Sequence, residues 1–410
     1  MTRARLAAAV LAAVLAGAAA GPAGAAPPER PPSLRARAAI VVDARSGAVL
    51  YAKHPDDRRP IASTTKLMTA LLALRSTRPG QLLEAGRYAP EAAESTLGLR
   101  PGERMTAHDL LRALLLASAG DAAATIARGV AGSRAAFVSR MNAEARALGL
   151  RNTSYANPIG LDDPANYSTA RDLVTLARRL LADPTFARIV DLPRARLESG
   201  ERPRTVLNRN TLVRTHPFVD GVKTGHTEGA GYVLVGAARR GGARVVSAVL
   251  GEPSQSARDD ETLALLRYGL SRFTRVHALS AVRPLELVPV TYFSGVKVPL
   301  HAARDVSLAV PRGARVHTYV RLPFPLHLSG PLPAGATVGQ ITVTVDGRRA
   351  AQLPLVTGEA VPGASFWRRT ALDAGHTKPT LALGYIGLAL LVALRLRGPL
   401  ARRMRGRVRQ

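Results

Sequence analysis

Three short motifs in this chain combine the residue types that acyl transfer to a serine requires. The first is Ser63-Thr64-Thr65-Lys66, which opens an apolar run with helical spacing. Side chains three residues apart lie on one face of a helix, so Lys66 can reach the Ser63 hydroxyl. That hydroxyl becomes a good nucleophile when a base removes its proton, and a lysine whose pKa is lowered by burial can be the base. The pattern is weak on its own, because a helix-capping serine followed by a surface lysine looks the same.

The second and third motifs add a hydroxyl and a cation. Ser118-Ala119-Gly120 lies in an Ala/Leu-rich helical region, and by itself it is also typical of a loop between helices. Lys223-Thr224-Gly225 precedes a β-like run. There a cation and a hydroxyl can hold a carboxylate, and the glycine lets a substrate backbone approach. Only five of the 57 basic residues are lysines, and two of the five lie in the three motifs. Because lysine can lose its proton and arginine cannot, this retention favours a chemical role.

Together the motifs resemble the set shared by β-lactamases and penicillin-binding proteins. The surrounding sequence is more specific and resembles the D-alanyl-D-alanine carboxypeptidases, which are low-molecular-mass penicillin-binding proteins. The matching stretches are residues 41–47, 60–69, 157–162, 167–172 and 220–227. The resemblance covers residues 38–272 and continues weakly at residues 332–339, which look like the second, β-sandwich domain of that family.

The resemblance implies a role for each motif residue. Ser63 would form the acyl-enzyme, Lys66 would be its base, and Ser118 would relay a proton to the leaving D-alanine. The N–H groups of Ser63 and His226 would form the oxyanion hole, where one donor is worth about 3 kcal/mol in the transition state. Arg258 matches the family arginine near the terminal carboxylate of the substrate. The implied substrate-binding residues are Lys223, Thr224, Gly225, His226 and Arg258.

Position 120 departs from the family, which usually has asparagine there to position the substrate and the lysine. Gly120 has no side chain, so either a water or neighbour substitutes, or activity is reduced. In the second case, asparagine at this position would raise the acylation rate. An impaired, wall-binding protein is therefore one alternative. A β-lactamase is the other, but residues 157–166 hold Asp162 and Asp163 without the Glu-x-x-x-Asn pattern expected for deacylation.

Elements that could position the motifs follow from the hydrophobic periodicity. Strand-like runs at both ends of residues 38–275 enclose helical runs, which predicts an α+β domain with an antiparallel sheet covered by helices. The resemblance makes this a β-lactamase/transpeptidase-like domain. Residues 276–360 alternate short β-like runs with Pro and Gly, and they predict a small all-β sandwich domain. Residues 26–37 and 361–379 are predicted linkers.

Both ends of the chain predict export and anchoring in a bacterial membrane. Residues 1–25 have a basic start, an apolar stretch and a small-residue cleavage site, which is typical of a signal peptide. An uncleaved anchor helix is the alternative. Residues 380–396 predict a C-terminal transmembrane helix about 25 Å long, and residues 397–410 a basic cytoplasmic tail. The alternative there is an interfacial amphipathic helix. The body of the chain would then lie on the extracytoplasmic face.

Composition limits the partners. The net charge of +28 favours anionic partners, and an exported protein meets wall polymers and lipid head groups rather than nucleic acid. The absence of cysteine excludes disulfides and thiolate catalysis, and the scattered histidines indicate no zinc site. We therefore expect no cofactor and no metal. The expected partners are peptidoglycan stem peptides, β-lactam antibiotics as covalent inhibitors, and the cytoplasmic membrane.

Overall fold

The chain folds into two units, each with its own hydrophobic core. The computed structural model describes residues 13–14, 29–91, 94–322 and 327–374. The first unit lies within residues 22–276 and 309–313, and the second within residues 1–21, 277–308 and 314–410.

Strands and helices intermix in the first unit, and strands dominate the second. The strands are β1 (Ala13–Val14), β2 (Ala38–Asp43), β3 (Val49–Lys53), β4 (Arg59–Pro60), β5 (Leu82–Glu84), β6 (Arg104–Thr106), β7 (Tyr167–Ser168), β8 (Arg194–Leu197), β9 (Arg204–Leu207), β10 (Val219–Thr227), β11 (Gly231–Arg240), β12 (Ala243–Glu252), β13 (Phe273–Leu279), β14 (Glu286–Pro289), β15 (Lys297–Ala302), β16 (Val306–Pro311), β17 (Val316–Arg321), β18 (Thr337–Val345) and β19 (Arg348–Thr357). The α-helices are α1 (Lys66–Ser76), α2 (Ala107–Arg112), α3 (Gly120–Ala131), α4 (Arg134–Ala147), α5 (Ala170–Leu181), α6 (Pro184–Val190), α7 (Thr211–Thr215), α8 (Gln255–Ser271) and α9 (Phe366–Ala374). A 3₁₀ turn (Ala62–Thr65) precedes α1, and a π-helical turn (Ala113–Ala117) follows α2.

The first unit is built on a five-stranded antiparallel sheet in the order β10-β11-β12-β2-β3. Successive side chains of a strand point to opposite faces of its sheet. In β2, Ala38, Ile40 and Val42 accordingly pack in a core with helices α1 to α6, and Ala39 and Val41 pack in a second core with α8. The sheet is therefore buried on both faces, as the antiparallel sheet covered by helices was predicted to be.

Helix α1 carries the first motif into the interior. Its first eight residues, from Lys66 to Ala73, are all buried. A helix that is apolar on every side lies in a core rather than on a surface. The sequence therefore places Lys66 in a largely buried position, where its amine is shielded from bulk solvent.

The second unit is a β domain, as predicted. Its main sheet has six antiparallel strands in the order β1-β17-β18-β19-β15-β14, with Val288, Leu300, Ile341 and Leu355 among its buried residues. Strand β1 lies inside the predicted signal peptide. Helix α9 falls in the segment predicted as a linker, and its Phe366 and Trp367 side chains are exposed.

The predicted transmembrane helix and tail, residues 380–410, lie outside the described residues, as does most of the predicted signal peptide. Among the helices in the described part of the chain, none combines the length and apolarity that a bilayer crossing requires.

Candidate active site

Ser63 and Lys66 lie within hydrogen-bond distance, as their spacing predicted. Lys66 Nζ donates to Ser63 Oγ at 3.0 Å and to the Ile159 carbonyl at 2.6 Å. Ser63 lies on the 3₁₀ turn that leads into α1, and Lys66 is the first residue of that helix. Lys66 is only 2% exposed, so both hydrogen bonds form away from bulk water.

The backbone around Ser63 is held from two sides. Ala62 has φ of +47°, a left-handed conformation that costs a non-glycine residue about 1–3 kcal/mol unless its surroundings enforce it. A Cβ on Gly160 would overlap the Ala62 carbonyl, and a Cβ on Gly225 would lie 3.1 Å from both Ala62 Cβ and Ser63 N. The two glycines thus let a loop and strand β10 pack directly against the Ser63 turn.

Asn157 shapes the loop that faces Lys66. Its Oδ1 accepts hydrogen bonds from the N–H groups of Ile159 at 3.2 Å, Gly160 at 2.6 Å and Leu161 at 3.1 Å. Asn157 is 1% exposed. This one side-chain oxygen satisfies three backbone donors and fixes the direction of the Ile159 carbonyl toward Lys66. The sequence placed Asn157 in a matching stretch but indicated no role for it.

A second lysine–serine pair joins the other two motifs. Lys223 Nζ donates to Ser118 Oγ at 2.9 Å and to the Thr224 carbonyl at 2.8 Å, and Lys223 is 1% exposed. Ser118 has φ of +62° at the end of the π-helical turn. The predicted site residues from three distant parts of the chain are therefore brought together.

Burial lowers the pKa of Lys66 from its ordinary value to about 7. The positive charge of Arg209 acts in the same direction, and the negative charges of Glu94 and Asp121 oppose it. A pKa lowered this far leaves part of the Lys66 population uncharged at neutral pH, so the Ser63 hydroxyl can give its proton to this amine.

Burial also lowers the pKa of Lys223 well below its ordinary value. The nearby positive charges of Lys66, Arg209 and Arg258 lower it further. Two buried amines with so much positive charge around them do not both stay protonated at neutral pH. The site can therefore both accept and return a proton.

These groups surround a cavity of about 730 Å³. The predicted site residues that line it are Ser63, Lys66, Ser118, Thr224, Gly225, His226 and Arg258. Lys223 is buried behind these residues and does not line the cavity itself. The His226 ring is exposed and stacks on Tyr232 with 4.0 Å between ring centroids.

Arg258 is buried but already paired. Its Nε and Nη2 donate to Asp259 Oδ1 at 2.9 and 2.7 Å, and Asp259 Oδ2 accepts a hydrogen bond from Thr211 at 2.5 Å. Its positive charge in the cavity is therefore partly neutralised.

Arg209 and Glu94 also line the cavity, and the sequence did not single them out. Most basic residues of this chain are arginines, so nothing in the sequence distinguished Arg209 from the others. Glu94 lies in an irregular segment with no motif around it. Both are recognised only through the fold, which brings them beside Lys66.

Comparisons with known proteins agree along most of the chain. Residues 25–254 match the family described as D-alanyl-D-alanine carboxypeptidase, and residues 273–363 match the C-terminal domain of penicillin-binding protein 5. The chain is 33% identical over 357 residues to the D-alanyl-D-alanine carboxypeptidase DacA of Escherichia coli K12, covering 82% of this chain and 86% of that protein. It is 38% identical over 217 residues to the D-alanyl-D-alanine carboxypeptidase DacB2 of Mycobacterium tuberculosis H37Rv, covering 52% and 74%.

Solved structures show the same relationship. Penicillin-binding protein 5 from Haemophilus influenzae superposes with a TM-score of 0.58 and 30% identity, over 82% of this chain and 100% of that one. The Streptomyces K15 DD-transpeptidase gives a TM-score of 0.57 and 31% identity, over 59% of this chain and 100% of that one. The transpeptidase-like fold with a C-terminal β domain is thereby confirmed.

Proposed function

This chain belongs to the D-alanyl-D-alanine carboxypeptidase family of serine hydrolases, and we propose that it removes the terminal D-alanine of peptidoglycan stem peptides through an acyl-enzyme on Ser63. The observation that carries the proposal is the hydrogen bond between Ser63 and Lys66, a buried amine whose pKa burial lowers to about 7.

Acylation begins at the Ser63 hydroxyl. Neutral Lys66 takes its proton, and Ser63 Oγ attacks the carbonyl of the penultimate D-alanine. The backbone N–H groups of Ser63 and His226 receive the negative charge that develops on that carbonyl oxygen, in the manner of an oxyanion hole. The peptide bond then breaks, and the proton that Lys66 accepted passes through Ser118, which is hydrogen-bonded to Lys223, to the amine of the leaving D-alanine, so Lys66 is neutral again.

Hydrolysis completes the cycle. A water attacks the ester on Ser63 and releases the shortened peptide. Lys66 accepts the proton of that water and returns it to Ser63 Oγ as the ester bond breaks, which restores the free serine and the neutral amine. The peptide lies along β10, where Thr224 and Gly225 line the cavity and Lys223 is buried behind them, and the positive charges of the cavity attract its terminal carboxylate.

A β-lactam takes the same route to a stable adduct on Ser63. For the whole chain, we propose export to the extracytoplasmic face, a peptidase domain at residues 38–275 and a β domain at residues 276–360. We also propose membrane anchoring through residues 380–396, as the apolar sequence and its flanking arginines predict.

Incubation with a fluorescent penicillin tests the function. We expect a stable covalent adduct together with release of D-alanine from a pentapeptide ending in D-Ala-D-Ala. Rapid turnover of the penicillin would indicate a β-lactamase instead. The absence of any adduct, with the protein folded, would indicate an impaired wall-binding protein.

A further inference from the structure

The space beside Gly120 is occupied by two side chains that reach it from an earlier part of the chain. A Cβ on Gly120 would overlap Glu94 Oε2 and would lie 2.8 Å from the Tyr88 hydroxyl, closer than real Cβ contacts come. A side chain at position 120 and the present position of Glu94 therefore exclude each other.

The Glu94 carboxylate is held in this place by its own hydrogen bonds. The Tyr88 hydroxyl donates to Glu94 Oε2, and the Glu91 N–H donates to Glu94 Oε1 at 3.0 Å. Burial and the Glu94 charge both raise the pKa of Tyr88, so its hydroxyl keeps its proton and remains a donor. One oxygen of the carboxylate thus binds a side chain and the other binds the backbone.

The segment that carries Glu94 is also fastened to the Ser118 turn. The Gly120 N–H donates to the Ser95 carbonyl at 2.7 Å. The buried Asp121 carboxylate accepts hydrogen bonds from the N–H groups of Leu97 at 2.9 Å and Leu99 at 3.0 Å. These contacts follow directly after Glu94 in the chain, so its position beside Gly120 is built into the fold.

Glu94 lines the same cavity as Ser63, Lys66 and Ser118. We propose that Glu94 is a positioning residue that fills the space left by Gly120 and stabilises the protonated form of Lys66 produced when Ser63 gives up its proton. This inference rests on the proposed role of Lys66 as the base.

Other charges also face Lys66, and they set the sign of the effect. Glu94 and Asp121 favour the charged amine, while Arg209 disfavours it. The charge of Lys66 in turn lowers the pKa of the neighbouring Lys223. Among these charges Glu94 has the largest effect on the pKa of Lys66, ahead of Arg209 and Asp121. Removal of the Glu94 charge therefore lowers the pKa of Lys66 further and makes Lys66 a weaker base.

The first test is the pH profile of acylation in Glu94→Gln, which keeps the shape of the side chain. We expect its acid limb to move to lower pH by on the order of half a unit, because Lys66 loses a stabilising negative charge. The plateau rate should fall by up to about threefold, because a weaker base removes the Ser63 proton less well. Glu84→Gln makes the same change in net charge at an exposed residue outside the cavity and should leave the profile unchanged.

The second test adds a side chain at position 120, first with Glu94 present and then with Glu94 replaced by alanine. Gly120→Asn should lower the acylation rate, because the new side chain displaces Glu94 from its hydrogen bonds. This prediction is the opposite of the one drawn from the sequence, in which asparagine at this position raises the rate. In a Glu94→Ala background the space is open, so the same Gly120→Asn change should raise the rate above that of Glu94→Ala.

The two tests separate the possible failures. A folded wild-type protein that forms no adduct with the labelled penicillin would refute the proposed function itself. If the wild type is labelled, either of two results would overturn the positioning role. One is a Glu94→Gln protein that keeps both the acid limb and the plateau of the wild type. The other is a Gly120→Asn change that has the same effect on the acylation rate in both backgrounds. Thermal unfolding of each variant shows whether it is folded, and the isosteric Glu94→Gln profile decides the matter if Gly120→Asn does not fold.

Discussion

Lys223 Nζ lies 2.9 Å from Ser118 Oγ, and this contact places a second buried lysine–serine pair beside that of Lys66 and Ser63. Burial lowers the pKa of both amines, and the charge of Lys66 lowers the pKa of Lys223 further. The site therefore has one lysine–serine pair at the attacking hydroxyl and a second pair at the hydroxyl that we propose protonates the leaving group.

The rate of acylation should depend on the protonation of Lys66. Its neutral form is the base, so the rate constant for acylation by a labelled penicillin should rise with pH through about 7, the pKa to which burial lowers Lys66. Lys66→Arg keeps a positive charge that cannot be lost, and it should reduce the rate by about 100-fold or more and remove this limb.

The exposed Lys297 provides the matched control, since Lys297→Arg makes the same substitution outside the cavity and should keep the wild-type profile. A Lys66→Arg protein that is acylated at a near-wild-type rate would exclude the general-base role.

Gly225 should tolerate no side chain. Gly225→Ala adds a methyl group 3.1 Å from Ser63 N and from Ala62 Cβ, so the Ser63 turn must shift by a few tenths of an ångström. We expect acylation to slow by about tenfold or more, because small displacements of a nucleophile are costly, with a smaller loss of thermal stability. Gly80→Ala is the control, since a Cβ there meets no described atom within 4 Å. Equal acylation rates in the two variants would show that the packing against Ser63 has no catalytic consequence.

Asn157 should affect both stability and rate. Asn157→Ala leaves the N–H groups of Ile159, Gly160 and Leu161 without their acceptor, which should lower the free energy of unfolding by about 1–3 kcal/mol. Acylation should slow as well, because the Ile159 carbonyl no longer holds Lys66 in place. Urea unfolding and acylation kinetics measure the two effects.

Asn152→Ala is a suitable comparison, because the Asn152 side-chain oxygen accepts hydrogen bonds from Arg58 in an exposed setting. Its effects on both quantities should be small. An Asn157→Ala protein with the same free energy of unfolding and acylation rate as Asn152→Ala would contradict the proposed role of the loop.

Much of the site could be predicted because its geometry is local in sequence. The Ser63–Lys66 contact follows from the helical spacing of the two residues, and the β11–β12 hairpin follows from alternating apolar runs around Gly241 and Gly242. Each depends on residues close together in the chain, so a pattern in the sequence is enough to predict it.

The parts that escaped prediction depend on tertiary contacts. Glu94 reaches the space beside Gly120 only because the Asp121 carboxylate and the Gly120 N–H hold the intervening segment, and no periodicity encodes that approach. The left-handed conformation of Ser118 is likewise set by its surroundings, since a serine has no intrinsic preference for it. Helix α9 was missed because its segment was interpreted as a linker.

The C-terminal segment should hold the protein in the membrane. A protein that ends at Lys378 lacks residues 379–410 and should be found in the soluble fraction after export, with its acylation rate unchanged. The full-length protein should sediment with membranes and be released by detergent but not by high salt, because an apolar helix rather than surface charge anchors it. Retention of the shortened protein in the membrane fraction would place the anchor elsewhere in the chain.

The covalent adduct on Ser63 is the most direct test of the central claim. After incubation with benzylpenicillin, the intact mass of the wild-type protein should increase by one penicillin, and the peptide that contains Ser63 should carry the addition. The Ser63→Ala protein should gain no mass while unfolding at a similar temperature, because Ser63 is only partly buried and its hydroxyl bonds Lys66. A folded Ser63→Ala protein that still gains the mass of penicillin, or a wild-type adduct on another residue, would contradict the account.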